Sequence, residues 1–331
     1  MKSRKKSIIY YTTSKQLIVN CENFFTICYY GFIEMVLRKK GIFVGWGRKN
    51  SGLKAVKLAE KKQTSYRLLE DGFIRSIGLG VDGYPSFSLV IDDIGIYYDA
   101  KNVSALENLL NSYDFKSDKQ LMIQAQKAIN LIRKYEISKY NNASNIGDDF
   151  FKKLDRQRVL IITQTAGDAS LKYGMLKNFS TDEIIDAAIK ENPNADVYLK
   201  IHPDVLSGKK EADFDVDGAK QKCFVLDDNV NPISLLKYFD KVYTKTSGMG
   251  FEALLVGCKC ICFGMPFYAG WGVTQDRVAC SRRKRKLSIE EIFAAAYILY
   301  TRYYNVYTQK ESDIFDIIDT IVRYRKIEDH K

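Results

Sequence analysis

The chain is poor in the residues that would advertise a simple answer. Its 331 residues include two histidines, five prolines and two tryptophans. No stretch approaches the roughly 18 uninterrupted apolar residues of a membrane-spanning helix. C-x-x-C pairs are missing and His202 is the one internal histidine, so the usual spacings of a zinc site are absent. There is no P-loop and no G-x-G-x-x-G after a strand, which removes the common nucleotide fingerprints. The N-terminal MKSRKKSIIYY is basic, but its apolar run is short and no small-residue cleavage site follows, so it does not read as a signal peptide. The seven cysteines form no disulfide framework. Cys258, Cys260 and Cys262 alternate along GCKCICFG and are expected on one face of a strand, as reduced core residues of a cytosolic protein.

What is present reads as a soluble globular chain of two domains, each with its own core, with 46% hydrophobic and 27% charged residues. The formal charge of +11 favours anionic partners: a nucleotide, a phospholipid surface or nucleic acid. In the first half, GIFVGWG (41–47) and SYRLLEDGF read as strands, and SGLKAVKLAEKKQ (51–63) as a helix capped by Ser51. FSLVIDDIGIYYDA reads as two short strands about a turn. The segment NFFTICYYGFIEMVLRKKG (23–41) suits either an amphipathic surface helix or core burial, with burial favoured. After a polar linker (141–157), the alternation restarts with QRVLIITQT, STDEIIDAAIKEN, ADVYLKIHP, NPISLLKYFD, KVYTKTS, GMGFEALLVG and KCICFG. Alternating strands and helices imply parallel βαβ units. The expected fold is α/β and GT-B-like, with two Rossmann-like domains facing a central cleft and helices at the C-terminus. Residues 1–150 form the first, acceptor-binding domain, 151–310 the second, donor-binding domain, and 311–331 a helix packing back on the first.

Four strand-end motifs carry candidate chemistry. In LEDGFIRS (69–76), Glu70 and Asp71 precede a glycine, which suits a general acid or base as well as a plain turn. In TQTAGDAS (163–170), Asp168 sits in a small-residue turn, fit for a nucleophile or for a helix N-cap. In KIHPDV, Lys200 and His202 stand at a strand end before Pro203, where open α/β sheets bind ligands. In TKTSGMGFEALL (244–255), Ser247 and Gly248 open a helix toward an anion, with Glu252 one turn in, placed for ribose hydroxyls. Trp46 and Trp271 lie in two GWG triplets, as sugar platforms or as packing. The run RRKRK (282–286) reads as a solvated loop or an anionic-lipid site, and it lacks the interleaved aromatics of a nucleic-acid groove.

Taken in order, EDGFIRSIGLG, SLVIDDIGIYYDA, ISKYN (137–141), QTAGDAS, KIHPDV and TSGMGFEALLVG…CFGMPFYAGWGVTQDR strongly resemble the bacterial capsule-polysaccharide β-Kdo transferases of the KpsC/LipA type. The resemblance covers roughly residues 41–305 and is strongest to the N-terminal of that family's two transferase modules. It implies CMP-β-Kdo as donor, no metal or other cofactor, retention of the β configuration, and a Kdo-bearing (lyso)phospholipid-linked acceptor. It further implies work beside other capsule biosynthesis proteins, and not with nucleic acid, as a peripheral enzyme at the inner face of the cytoplasmic membrane. By the same resemblance Asp168 is the nucleophile, and Glu70 or Asp71 deprotonates the acceptor. His202, Pro203, Lys200, Ser247, Gly248, Glu252 and Gln164 hold the donor, while Arg75 and Lys49 join Lys200 in attracting acidic sugars. Two other readings are a sialyltransferase-like enzyme using another CMP-keto-sugar and a non-catalytic basic module that binds membrane or nucleic acid.

Overall fold

A computed structural model of the chain describes residues 9–31, 33–34, 41–151, 156–175, 177–201, 205, 212 and 214–328. The short apolar runs, bounded by polar turns, become two sheets. In the first lobe lie β1 (Tyr10–Thr12), β2 (Ile27–Tyr29), β3 (Ile42–Trp46), β4 (Tyr66–Asp71) and β5 (Ser88–Asp92). They are joined by helices α1 (Lys15–Cys21) and α2 (Asn50–Lys62), and followed by α3 (Ala105–Ser112) and α4 (Lys119–Tyr135). The second lobe runs β6 (Arg158–Ile162), α5 (Ala169–Gly174), α6 (Thr181–Glu191), β7 (Asp196–Lys200), α7 (Val216–Lys222), β8 (Phe224–Leu226) and α8 (Pro232–Leu236). It continues with β9 (Lys241–Thr244), α9 (Met249–Val256), β10 (Lys259–Cys262) and β11 (Gln275–Asp276). Helix α10 (Ile289–Phe293) then runs into a π-helical turn, Ala294–Leu299. The chain finally returns to the first sheet as β12 (Thr301–Asn305) and β13 (Lys310–Ser312), and ends in α11 (Ile314–Glu328).

The second sheet has the order β11-β10-β9-β6-β7-β8, with every pairing parallel. Its central strands are covered on both faces, and RVLII in β6 is accordingly apolar almost throughout. The first sheet has the order β13-β12-β5-β4-β3-β1-β2 and is parallel from β2 to β4, then antiparallel through β5, β12 and β13. This is the GT-B-like arrangement expected from the alternation of strands and helices.

Several local expectations are corrected. Thr301–Ser312 belongs to the first sheet, because Thr301 pairs with Val90 and Tyr303 with Ser88, so the return begins before residue 310. The largest apolar cluster runs through both lobes: Phe73 of the first lobe meets Phe267 at 4.8 Å and Tyr297 at 4.8 Å between ring centres. The lobes therefore share a core behind the cleft. FSLVIDDIGIYYDA yields one strand. Asp92 ends it by accepting hydrogen bonds from the Ile94, Gly95 and Ala105 N–H groups and the Tyr300 hydroxyl. Ser51 does not cap α2; its Oγ accepts the Trp46 N–H at 3.0 Å and ties the strand end to the helix. Within 23–41, Ile27–Tyr29 is strand β2, with Ile27 and Tyr30 buried.

Three of the five side chains of RRKRK are engaged inward, Arg283 alone fully buried. Arg282 and Arg283 both pair with the buried Glu107 of α3, at 2.6 and 3.3 Å. Arg283 also donates to the Pro266 and Ala269 carbonyls and lies over the fully buried Trp271 ring. Arg285 donates to Leu110 and Tyr113 carbonyls, satisfying acceptors that the end of α3 leaves unmade. Only Lys284 and Lys286 of the five are exposed. Trp271 donates its indole N–H to Phe267 O at 2.9 Å, so it is packing and not a sugar platform.

Replacing Arg283 by Met strands two carbonyls and leaves Glu107 with one cation. Urea unfolding is expected to show a loss of roughly 3 kcal/mol, as for other broken buried pairs. A loss too small to measure would return the run to the status of a surface loop.

Candidate active site

The cleft is framed by strand ends, and its first-lobe wall is built around Glu70. Strand β4 delivers this residue at its last turn, where Glu70 pairs with Val90 of β5. Its Oε1 accepts the Trp46 indole N–H at 2.9 Å and the Asp71 N–H at 3.2 Å. Gly47 sits at φ +35° beside it. A side chain there would collide with the Tyr98 hydroxyl and approach Glu70 Oε2, so glycine is what lets those groups close in. Burial, reinforced by the charge of Asp71, pushes the Glu70 carboxyl up from 4.5 to about 7, against the pull of Lys139, the Asp71 N–H and Lys49. A carboxyl poised near neutrality can both take and return a proton.

Asp71 is spoken for differently. Arg75 Nε donates to its Oδ1 at 3.0 Å, and the same guanidinium bonds Ser76 Oγ and Tyr84 O. The adjacent carboxylates are thus distinguished by their partners: an indole and a backbone N–H for Glu70, a guanidinium for Asp71. Arg75, expected to attract acidic sugars, is occupied by these contacts. Lys49 is exposed beside them at the start of α2.

The second-lobe wall is a hydrogen-bonded unit of two loops. Asp168 caps α5, accepting the Ser170 N–H at 2.8 Å, so the N-cap reading of this residue is realised. Gln164 Nε2 reaches Asp168 Oδ2 at 3.3 Å and Ser170 Oγ at 3.0 Å. Its Oε1 accepts from Thr246 N and Oγ1, at 2.8 and 3.2 Å. Gln164 therefore fixes the GDAS loop against the TKTSG loop, and its amide is already engaged in doing so. Ser247 accepts the Met249 N–H at 3.3 Å at the mouth of α9, beside the exposed Gly248. Lys200 donates to the Asp228 carbonyl at 3.2 Å; burial lowers its pKa, opposed by Asp228 and Asp227. His202 and Pro203 lie outside the described residues.

Helix α5 presses the two walls together. Tyr173 O accepts the Ala100 N–H at 3.1 Å, and Gly174 O accepts the Met265 N–H at 2.8 Å. The helix that Asp168 caps thus lies against the Tyr98–Ala100 turn, whose tyrosine borders Glu70. The ISKYN segment joins the two lobes behind the site. Ser138 Oγ donates to Glu252 Oε1 at 2.6 Å, and the Lys139 N–H donates to the same oxygen at 3.2 Å. Burial raises the Glu252 pKa against these two bonds and the charge of Lys139. Glu252, expected to receive ribose, has this oxygen committed to joining the lobes. Sequence reasoning passed over Tyr98 and Lys139. ISKYN carried the only signal for the lysine.

With that geometry established, comparison with known proteins is decisive on kinship. The model of the capsule polysaccharide biosynthesis protein family matches residues 42–303. The chain belongs to this family. The capsule polysaccharide modification protein LipA of Neisseria meningitidis serogroup B is 42% identical over 294 residues, covering 86% of this chain and 42% of LipA. The lipopolysaccharide-processing protein LpsZ of Rhizobium meliloti is 39% identical over 262 residues, covering 79% of this chain and 59% of LpsZ. The chain thus spans about half the length of the curated family members it matches. Among solved structures, the β-Kdo 2,4 transferase of Thermosulfurimonas dismutans KpsC superposes with a TM-score of 0.85 at 40% identity, covering 95% of this chain and 98% of that one. The β-Kdo 2,7 transferase of the same KpsC gives 0.76 at 30% identity, covering 96% and 99%.

The raised pKa of Glu70 has a signed consequence. A carboxyl shifted upward stabilises the fold fully below about 4.5, and that contribution disappears as pH rises through about 7. Relative to Glu70→Gln, the wild type is expected to lose stability between these values and to change little outside them. Thermal unfolding of both proteins across pH 4 to 8 measures this, and parallel curves would show that Glu70 titrates as an ordinary exposed carboxylate.

Proposed function

We propose that the chain is a retaining β-Kdo glycosyltransferase of capsule linker synthesis, moving Kdo from CMP-β-Kdo to a Kdo-terminated, (lyso)phospholipid-linked acceptor. The observation that carries the reading is the pair of carboxylates on opposite walls: Glu70, half-buried beside Trp46 with its pKa pushed up to about 7, and Asp168, held by N–H donors at the mouth of α5. The 40% identity with the KpsC β-Kdo 2,4 transferase over nearly the whole chain supports the donor and acceptor class. Of the two KpsC transferases this one scores higher than the 2,7 transferase in both identity and superposition, so we assign the 2,4 linkage.

In this reading Asp168 attacks the anomeric carbon as its bond to the CMP phosphate breaks, and CMP departs with the bonding electrons. The Asp168–Kdo ester is then opened from the other face by the acceptor hydroxyl. Glu70 takes the hydroxyl proton, Asp168 leaves as carboxylate, and Glu70 returns its proton to water. Two inversions give net retention, as in retaining glycosidases. Ser247, Gly248 and the N–H groups opening α9 face the leaving phosphate, and Lys200 adds positive charge from β7; the family resemblance assigns His202 to the same phosphate. Neutralisation by these groups requires no metal. Glu70 is chosen over Asp71 as base because the Asp71 carboxylate is already engaged by Arg75 at 3.0 Å. Among the described residues no helix is long and apolar enough to cross a membrane. The formal charge of +11 suits peripheral contact with the anionic inner face of the cytoplasmic membrane, beside other capsule biosynthesis proteins.

Intact-protein mass spectrometry with CMP-Kdo generated in situ tests the scheme. Wild type is expected to gain one Kdo, chased off by a Kdo-bearing acceptor, and Asp168→Ala to gain none. Product formation by Asp168→Ala at wild-type rate would remove the nucleophile. Failure with CMP-Kdo but turnover of another CMP-keto-sugar would replace the donor.

A further inference from the structure

Lys139 is a cation that the cleft holds in place and leaves unused. Its backbone is fixed from both lobes: the N–H donates to Glu252, and the carbonyl accepts from Arg75 N at 3.0 Å and Ser76 N at 3.4 Å. The flanking residues are tied as firmly. Asn141 accepts the Ser138 N–H and donates to the Ser76 and Ser138 carbonyls. Arg325, arriving from α11, donates to the Tyr135, Glu136 and Asn141 carbonyls. A lysine so mounted has little freedom left in its main chain.

Its ammonium is another matter. It lies 5.7 Å from the Tyr140 ring centre, and it has neither an ion pair nor a hydrogen-bond acceptor among the described residues. The charges of Asp71 and Glu70 act on it. Yet Asp71 is held by Arg75, and Glu70 by Trp46 and the Asp71 N–H. Burial opposes the charge on Lys139, and the nearby carboxylates favour it. Three N–H donors on a partly buried cation without an acceptor constitute an unfilled anion site.

The chemistry of the acceptor supplies the anion. A terminal keto-sugar acid carries a carboxylate, and it must approach a wall that already holds Glu70 and Asp71. Without a compensating cation that approach is repulsive. We propose that the Lys139 ammonium receives the carboxylate of the acceptor's terminal acidic sugar and thereby sets its hydroxyl against Glu70. This rests on the glycosyltransferase reading above and assigns within it a task expected of Arg75 and Lys49, one occupied and the other exposed.

The test crosses the enzyme cation with the substrate anion. Values of kcat/KM are measured for a Kdo-terminated acceptor and for its neutral C1 amide, with wild type, Lys139→Met and Lys139→Arg. Wild type is expected to favour the acid by roughly 10- to 100-fold, the usual worth of a charge-assisted contact. In Lys139→Met that ratio should fall to about 1, and in Lys139→Arg most of it should return. A wild-type ratio near 1, or an unchanged ratio in Lys139→Met, overturns the assignment. The wild-type ratio stands even if the methionine variant does not fold. If wild type transfers Kdo to neither acceptor, the failure belongs to the proposed function instead.

Discussion

The site depends on one buried carboxylate that belongs to neither reacting group. Glu252, inside α9, takes the Ser138 hydroxyl and the Lys139 N–H on a single oxygen. Helix α9 packs on β9, β10, α8 and α4, so this contact joins the donor-side sheet to the end of the longest helix of the first lobe. A carboxylate buried this deeply is costly unless its hydrogen bonds are made, so the two lobes are held in the register that makes them. The aromatic stack of Phe73, Phe267 and Tyr297 adds a non-directional attraction behind the seam. Apolar burial brings the lobes together, and the carboxylate fixes the register in which they meet.

That seam explains why the two carboxylates with proposed chemical roles have such different surroundings. Glu70 lies near the end of β4, which pairs antiparallel with β5, and the β12–β13 return extends the sheet beyond β5. Asp168 opens the short helix α5 after the parallel strand β6, where its carboxylate accepts the Ser170 N–H and the Gln164 amide. Burial thus pushes the first carboxyl toward its neutral form, while hydrogen-bond donors fix the orientation of the second. Fold topology, more than the residues adjacent in sequence, sets this division.

The strands, their order of appearance and the loops bearing Glu70, Asp168 and Ser247 were legible because each follows a short apolar run punctuated by glycine or polar residues. What escaped sequence reasoning has a common physical origin. Arg282 meets Glu107 across 175 positions and Arg325 meets Tyr135 across 190, and an arginine bound for a buried carbonyl looks like any other until the partner is located. RRKRK therefore read as solvent-facing, and Trp271 stayed open between platform and packing until Arg283 was seen over its ring in the core. Lys139 follows a helix, not a strand, so the rule that strand ends carry function did not reach it. The family resemblance assigns Gln164 to the donor, whereas its amide bridges two loops that are 82 residues apart.

The Gln164 bridge bears on how a capping aspartate can also act as a nucleophile. Both Asp168 oxygens accept hydrogen bonds, Oδ1 from Ser170 N and Oδ2 from the Gln164 amide. Such bonds stabilise the anion and lower its reactivity, but they also hold it in one orientation, and orientation counts heavily in a bimolecular displacement. Of the two, the contact of Oδ2 with Gln164 is the longer at 3.3 Å, so Oδ2 is the oxygen released at least cost. Oδ1 would keep α5 capped while Oδ2 carries the sugar, and the Tyr98–Tyr173 contact with the Glu70 wall would then survive both half-reactions. The helix cap and the nucleophile are in this arrangement two oxygens of one side chain, and the fold need not loosen for the chemistry to occur.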